Sequence, residues 1–141
     1  MTRYWNKSAN MSDLIGLTIT ETNLGSQYAD SLDDELTLKT SCGRTFLMYH
    51  QQDCCESVSL VDVAGDFSDI LGQVITDARM DFSYGDDAPK GWGSDDSTTW
   101  TYVKIVTSKG EVSLRWFGSS NGYYSETPDF YETVPIEKRL Q

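Results

Sequence analysis

Several features that define common protein classes are missing from this 141-residue chain. No apolar run approaches the roughly 18 residues that a membrane-spanning helix requires. The N-terminal residues, Met1 to Asn6, lack the apolar stretch and the small-residue cleavage site of a secretory signal, so we expect the protein to stay where it is made. A glycine-rich phosphate loop, a Gly-x-Ser-x-Gly elbow and a His-Glu-x-x-His sequence are also missing, which argues against the enzyme classes that carry them.

Cysteine and histidine are scarce. The cysteines are Cys42, Cys54 and Cys55, and the single histidine is His50. An odd number of cysteines in a chain without a secretion signal argues against a disulfide framework. Neighbouring cysteines form a disulfide only within a strained local ring. We therefore predict that all three cysteines are reduced.

The net charge of −11 is concentrated in the middle of the chain. Residues 51–100 contain 11 acidic and 2 basic residues, whereas residues 101–141 contain 5 of each. Negative charge repels nucleic acids and membrane surfaces and suits a basic partner. The chain is therefore predicted to bind neither nucleic acid nor membranes directly. Simple solubility is the alternative explanation of the acidity.

Alternating apolar and polar residues predict a mostly β (α+β) fold with one or two short helices. We expect an antiparallel sheet built from hairpins and a C-terminal three-stranded meander. Residues 35–50 have the pattern of one hairpin, and residues 66–72 that of a helical turn capped by Asp66 and ended by Gly72. Residues 1–141 are predicted to form a single domain, with residues 1–11 and 128–141 peripheral.

The last third of the chain gives the most specific prediction. Two strand-like runs flank Lys109-Gly110, and Asn121-Gly122 precedes a third run. If Lys109-Gly110 is a two-residue loop, Lys104 faces Arg115 across the hairpin. Treating Asn121-Gly122 the same way places Tyr124 opposite Ser119 and Glu126 opposite Phe117. One side of this meander is apolar, with Leu114 pointing into the core, and the other side is aromatic and cationic.

The aromatic and cationic side is a candidate ligand-binding surface. Like charges directly opposite one another destabilise a strand pair, so Lys104 and Arg115 favour an anion beside them, and the rings can stack a base or a sugar. Alternatively, Glu126 or an aspartate from the acidic middle neutralises the cations while a second layer covers the rings. The candidate ligand-binding residues are Trp100, Tyr102, Lys104, Arg115, Phe117, Asn121 and Tyr124.

The stretch from His50 to Glu56 is a second candidate site. A catalytic interpretation makes Cys54 or Cys55 a nucleophile with His50 as its base, oriented by Asp53 or Glu56. Structural zinc sites usually take cysteines two to four residues apart, and this stretch has no Cys-x-x-Cys. Neighbouring residues of a strand point to opposite faces, so Cys54 and Cys55 do not easily reach one metal, and we predict no metal and no other cofactor. In the structural alternative, one cysteine packs in the core and the polar side chains satisfy the backbone of a bulged turn.

Short motifs along residues 14–126 resemble a family of proteins. Those of the first half are Gly43-Arg44-Thr45, Tyr49-His50, Asp53-Cys54-Cys55-Glu56-Ser57-Val58, Gly65-Asp66 and Asp69-Ile70-Leu71-Gly72. Those of the second half are Thr99-Trp100-Thr101 and the run from Arg115 to Ser125. Together they resemble a family of small uncharacterised tailed-phage proteins. The resemblance implies a phage-borne gene, the cytoplasm of an infected bacterium, and accessory work such as blocking a host defence. It brings no activity that can be carried onto these residues.

Three functions of different classes are therefore open. The first, which we prefer, is a non-enzymatic protein whose acidic surface, built from residues 53–96, occupies a basic site on a host protein. Such a surface can imitate DNA, where phosphates supply about one charge per 1.7 Å of helix axis. The second is a binder of a small anion such as a nucleotide at Lys104 and Arg115. The third is a cysteine- or metal-dependent enzyme at His50, Cys54 and Cys55. The sequence makes no prediction of the oligomeric state.

Overall fold

The computed structural model describes residues 4–25, 35–51, 55–84, 97–122 and 124–135. These residues form β-strands and two 3-10 turns, so the mostly β fold class is confirmed, and the short helices of the prediction are 3-10 turns. In chain order the elements are β1 (Tyr4–Ser8), the first 3-10 turn (Met11–Leu14), β2 (Ile19–Gly25), β3 (Glu35–Thr40), β4 (Thr45–Tyr49), β5 (Ser57–Ala64), the second 3-10 turn (Phe67–Asp69), β6 (Ile75–Tyr84), β7 (Ser97–Thr107), β8 (Glu111–Ser120) and β9 (Asp129–Pro135).

The strands form two antiparallel sheets that share one hydrophobic core. The first sheet has the order β1-β9-β4-β3-β2, and the second has the order β5-β8-β7-β6. Alternate residues of a strand point to opposite faces, so each sheet contributes one apolar face. The buried core residues of the first sheet include Leu36, Leu38, Phe46, Met48 and Phe130, and those of the second include Ile75, Val103, Ile105, Val112, Leu114 and Trp116.

The hairpin predicted within residues 35–50 is present as β3 and β4. Leu38 pairs with Phe46, and Gly43 turns the chain with a φ of 87°. The Thr40 hydroxyl oxygen accepts a hydrogen bond from the Arg44 backbone N–H at 3.0 Å, which closes the loop. The second 3-10 turn also follows its prediction, because the Asp66 carboxylate accepts a hydrogen bond from the Ser68 backbone N–H at 3.0 Å.

Both ends of the chain contribute a strand to the first sheet, which the sequence does not predict. Residues 1–11 and 128–141 were expected at the periphery, but residues 4–8 form β1 and residues 129–135 form β9. β9 lies between β1 and β4. The Phe130 ring stacks on Phe46, with 5.5 Å between the ring centroids. The C-terminal strand therefore builds part of the core, and pairing with β4 explains why it is ordered despite its flanking prolines.

β7 and β8 form the predicted hairpin in a different register. Tyr102, not Lys104, lies opposite Arg115, and Lys104 lies opposite Ser113. Three residues, Ser108 to Gly110, join the two strands. The Thr107 backbone N–H donates to the Gly110 carbonyl oxygen at 2.8 Å, and the Thr107 hydroxyl oxygen accepts hydrogen bonds from the backbone N–H groups of Lys109 and Gly110 at 3.3 and 3.2 Å. The predicted opposition of Lys104 and Arg115 is therefore wrong. A shift of two residues still leaves every side chain on its predicted face.

The prediction that a third strand follows β8 in the meander is also wrong. On its far side β8 pairs with β5, so Ser119 lies opposite Ser57 and not opposite Tyr124. Phe117 correspondingly lies opposite Ser59 and not opposite Glu126. Asn121-Gly122 does make a turn, with a φ of 97° at Gly122, but the chain then leads to β9 in the first sheet. An Asn-Gly pair specifies a turn and does not specify which strand follows it.

The segment that leads from β8 back to the first sheet lies directly against Gly118 of β8. A Cβ atom at that position would lie 1.9 Å from the Glu126 carbonyl oxygen. Only glycine allows this approach of two backbone segments. In the part of the chain that the structure describes, no helix is long and apolar enough to cross a membrane.

Candidate functional site

The face of the second sheet that points away from the core carries the predicted ligand-binding surface, and we call it the outer face. Its charged and aromatic residues line an open groove of about 640 Å³. They come from all four strands of the sheet. Those used below are Asp62, Arg79, Asp81, Tyr102, Lys104 and Arg115.

Arg115 is neutralised from within the chain. Asp62 of β5 lies directly opposite it, and Arg115 Nε donates to the two carboxylate oxygens of Asp62 at 2.9 and 3.0 Å. Arg115 Nη2 also donates to Asp62 Oδ2. This hydrogen bonding lowers the pKa of Asp62 and raises the pKa of Arg115. An aspartate of the acidic middle therefore supplies the counter-charge, as the alternative interpretation of the surface expects.

Lys104 also has a counter-charge within the chain. Its Nζ lies 3.5 Å from Glu111 Oε1. Arg79 of β6, which lies directly opposite Lys104, is paired with Asp77 at 3.8 Å. These ion pairs are at the surface, where solvent screens them. Together they leave the three cations of the outer face without a requirement for an external anion.

The aromatic rings of the surface are partly covered. Trp100 is 8% exposed and Phe117 is fully buried, and their rings meet edge to face with centroids 5.0 Å apart. The Arg115 guanidinium lies 5.3 Å from the centroid of Trp100. Only Tyr102, at 39% exposure, offers a substantial open surface from this group. Asn121 and Tyr124 lie beyond the end of β8, and the groove is lined by other residues.

His50 and Glu56 form a buried pair between β4 and β5. His50 Nε2 lies 2.7 Å from Glu56 Oε2, and the two side chains are 4% and 0% exposed. His50 Nδ1 lies 2.9 Å from the Thr127 carbonyl oxygen. A carbonyl oxygen only accepts, so Nδ1 carries a proton, and a second proton lies between Nε2 and the Glu56 carboxyl group. Both ring nitrogens are therefore occupied within the protein.

The cysteines depart from their prediction. Cys55 is disulfide-bonded, so the expectation that it is reduced is wrong, and it offers no thiolate nucleophile in this state. Cys54 and Asp53 lie outside the described residues. Cys42 is free and exposed in the β3–β4 loop, and a hydrogen bond with the Thr40 hydroxyl at 3.3 Å lowers the pKa of its thiol. Among the residues that the structure describes, no three His, Cys, Asp or Glu side chains are grouped to hold a metal ion.

Glu126 has a different place from the one predicted for it. Its carboxylate is buried and accepts hydrogen bonds from the Thr99 hydroxyl at 2.7 Å and the Ser120 hydroxyl at 2.5 Å. It therefore anchors the crossing between the two sheets and does not neutralise the outer face. The partners that do so, Asp62 and Glu111, were missed as site residues. A pairing between residues 53 positions apart has no local sequence pattern that reveals it.

Residues 12–130 match the family model described as Domain of unknown function (DUF7448). No curated protein and no solved structure matches the chain.

Proposed function

The chain belongs to the DUF7448 family, and from that premise we propose that it is a phage-type accessory protein that binds a host protein non-enzymatically through an acidic surface. The partner is a protein with a basic surface in the cytoplasm of an infected bacterium. A protein site that binds nucleic acid is basic, so an acidic surface occupies it by imitating nucleic acid. Blocking such a site in a host protein serves counter-defence or host takeover.

The observation that carries this proposal is the internal neutralisation of the cations. Seven lysines and arginines are described, and six of them lie within 4.0 Å of a carboxylate oxygen. The excess of charge at the described surface is therefore acidic. Surface carboxylates outside these ion pairs are Asp13, Glu35, Asp66, Asp69, Asp81 and Asp129.

Residues 85–96, which lie outside the described residues, add to this acidity through their sequence. They contain four aspartates and one lysine. They join Tyr84 at the end of β6 to Ser97 at the start of β7.

The experiment is affinity capture from bacterial lysate at low and at high salt, with two variants of equal charge change. The test variant replaces Asp86, Asp87 and Asp95 with Asn. The matched control replaces Asp30, Asp33 and Asp34 with Asn, in a different acidic stretch. We expect wild type and control to retain one basic protein at low salt and to lose it at high salt, because screening shortens the range of charge attraction.

The test variant is expected to lose this protein at low salt, and added duplex DNA is expected to displace it from the wild-type chain. Recovery of no basic protein at low salt contradicts the proposal. Equal recovery by the test variant and the wild type contradicts the assignment of the surface to residues 53–96.

A small anion such as a nucleotide is the second candidate. The groove of the outer face supports it, because Arg79, Lys104 and Arg115 surround the exposed Tyr102 ring. An anion bound there would have to compete with Asp62 for Arg115. A cysteine- or metal-dependent enzyme at His50, Cys54 and Cys55 has less support, because both ring nitrogens of His50 are engaged and Cys55 is disulfide-bonded.

A further inference from the structure

The groove of the outer face is built by two rows of side chains that cross all four strands of the second sheet. The first row combines charged side chains with one aromatic ring, and from β6 to β5 it consists of Asp81, Tyr102, Arg115 and Asp62. The second row begins with two long cationic side chains and ends with two small ones, and in the same direction it consists of Arg79, Lys104, Ser113 and Ala64. The two small side chains rise little above the strands, so they form the floor of the groove beside the taller first row.

Tyr102 presents an aromatic surface to this groove. Its ring stacks on the ring of Trp100, with centroids 6.3 Å apart and 17° between the ring planes. Trp100 is nearly buried and is not part of the groove lining, whereas Tyr102 lines the groove and is substantially exposed. The stack therefore supports the Tyr102 ring from one side and leaves it open to a ligand. An aromatic ring has a negative face, which attracts groups whose hydrogen atoms point at it.

The polar groups of the groove keep hydrogen-bonding capacity after their ion pairs are formed. Arg115 binds Asp62 through Nε and Nη2, which leaves the two N–H groups of Nη1 for a ligand. An ionised carboxylate has about four acceptor positions, so Asp62 can accept further hydrogen bonds. Asp81 lies outside the ion pairs of the described residues. Donors and acceptors of hydrogen bonds therefore lie on both sides of the Tyr102 ring.

The ion pairs of the groove favour a neutral ligand over an anion. An anion that binds Arg115 must compete with Asp62, and it meets a second carboxylate, Asp81, on the other side of Tyr102. A ligand with hydroxyl groups avoids both penalties, because a hydroxyl group donates and accepts and can use the remaining N–H groups and carboxylate lone pairs. The volume of the groove, about 640 Å³, lies within the range of about 300–1,000 Å³ that is typical of small-ligand sites.

We propose that the groove of the outer face binds a neutral saccharide built of pyranose rings with equatorial hydroxyl groups, as in β-linked glucose or N-acetylglucosamine. Such a ring has C–H groups on both faces and hydroxyl groups around its rim. One C–H face stacks on Tyr102, while hydroxyl groups of the rim donate to Asp81 and accept from Nη1 of Arg115. The ion pair between Asp62 and Arg115 is retained. The inference does not depend on the proposed function, which concerns a protein partner.

Isothermal titration calorimetry with cellotriose and with N,N′,N″-triacetylchitotriose tests the proposal. We expect saturable binding of at least one of the two, with the same affinity at low and at high salt, because a neutral ligand has no charge to screen. Tyr102→Ala should weaken this binding about tenfold, since it removes the aromatic stack. Tyr102→Phe keeps the ring and should retain the binding. Tyr84→Ala is the matched control, because Tyr84 is an exposed tyrosine of the same sheet that does not line the groove.

Backbone amide shifts in NMR spectra of the same titrations locate the site. The bound saccharide should shift the amide signals of Asp81, Tyr102 and Arg115 and leave those of the first sheet unchanged. The proposal is overturned if neither probe binds, or if Tyr84→Ala weakens the binding as much as Tyr102→Ala does. A parallel titration with ATP separates the two ligand classes. Binding of ATP that is lost at high salt, without binding of either saccharide, identifies an anion site and also overturns the proposal.

Discussion

Asp62 on β5 and Arg115 on β8 lie directly opposite each other, and the Nε of Arg115 donates to the two carboxylate oxygens of Asp62 at 2.9 and 3.0 Å. This pair joins the acidic middle of the chain to its cationic hairpin. It supplies the counter-charge that the sequence of the hairpin leaves open. The surface that appears cationic in the sequence is therefore balanced in the fold.

Asp62→Asn tests the pair through the pH dependence of stability. Both side chains are nearly half exposed, so solvent screening limits the expected loss at neutral pH to about 0.5–1 kcal/mol. The pKa of Asp62 is lowered by Arg115, so its contribution is complete above the unfolded-state pKa of about 3.9 and is lost as the pH falls through the lower folded-state pKa. Urea unfolding of both proteins at neutral and acidic pH measures the difference.

The control for this prediction is Asp69→Asn, which changes an exposed aspartate outside the described ion pairs. Its effect should be smaller at neutral pH. A loss for Asp62→Asn that stays constant from neutral into acidic solution contradicts the account of this pair.

His50→Ala removes one partner of the buried His50–Glu56 pair. The remaining carboxyl group is fully buried, so we expect a loss of about 3–5 kcal/mol in the free energy of unfolding. Glu56→Gln keeps a group of similar shape that donates a hydrogen bond to His50 Nε2, and it should cost less. Chemical denaturation compares the two variants. A loss below about 1 kcal/mol for His50→Ala argues against the buried pair, since removing a hydrogen-bond partner from a buried charged group costs more than that.

The hairpins show what the sequence predicts well. Gly43 and the alternation of β3 and β4 specify a turn and a face, and both are found. The same alternation keeps Leu114 buried and Arg115 exposed although the β7–β8 register is shifted by two residues. The turn between them is held by Thr107, whose hydroxyl oxygen accepts from the backbone N–H groups of Lys109 and Gly110. Turn composition alone does not reveal this side-chain contact.

The local sequence pattern does not predict which strands lie next to each other in a sheet. β5 takes the place beside β8 that the sequence assigns to the residues after Gly122. That choice depends on long-range packing, including the close approach of Glu126 to Gly118. The partners of Arg115 and His50 follow from the same topology. Trp100, Tyr102, Lys104, Arg115 and Phe117 therefore lie on their predicted face, whereas Asn121 and Tyr124 lie beyond the end of β8. Neutralisation by an aspartate of the acidic middle was one of the two interpretations, but the sequence did not identify Asp62 as that aspartate.

Gly118→Ala tests the crossing between the sheets. A Cβ atom 1.9 Å from the Glu126 carbonyl oxygen forces one backbone segment to move. We therefore expect the free energy of unfolding to fall by about 1–3 kcal/mol. Gly25→Ala is the matched control, because the nearest atom to its Cβ is a side-chain oxygen 3.8 Å away. Thermal unfolding of both variants checks the difference. Equal melting temperatures contradict the close approach.

Arg44→Ala tests the ion pair between Arg44, which precedes β4, and Glu132 of the neighbouring strand β9. Arg44 donates to both carboxylate oxygens of the buried Glu132, at 2.9 and 2.8 Å, and this hydrogen bonding raises the pKa of Arg44. Loss of a charged hydrogen-bond partner from a buried carboxylate should cost about 1.5–3 kcal/mol. Lys39→Ala, in an exposed pair with Glu21, should cost less than about 1 kcal/mol. Urea unfolding that ranks Lys39→Ala above Arg44→Ala contradicts this assignment.

The account rests on the neutralisation of Lys104 and Arg115 by Glu111 and Asp62 within the chain. The most direct measurement is the melting temperature of the wild-type protein across a panel of nucleotides, with Arg115→Ala as the comparison. A bound anion raises the melting temperature by mass action. The account predicts no rise for the wild type with any nucleotide. A concentration-dependent rise that Arg115→Ala abolishes contradicts it and identifies the outer face as an anion-binding site.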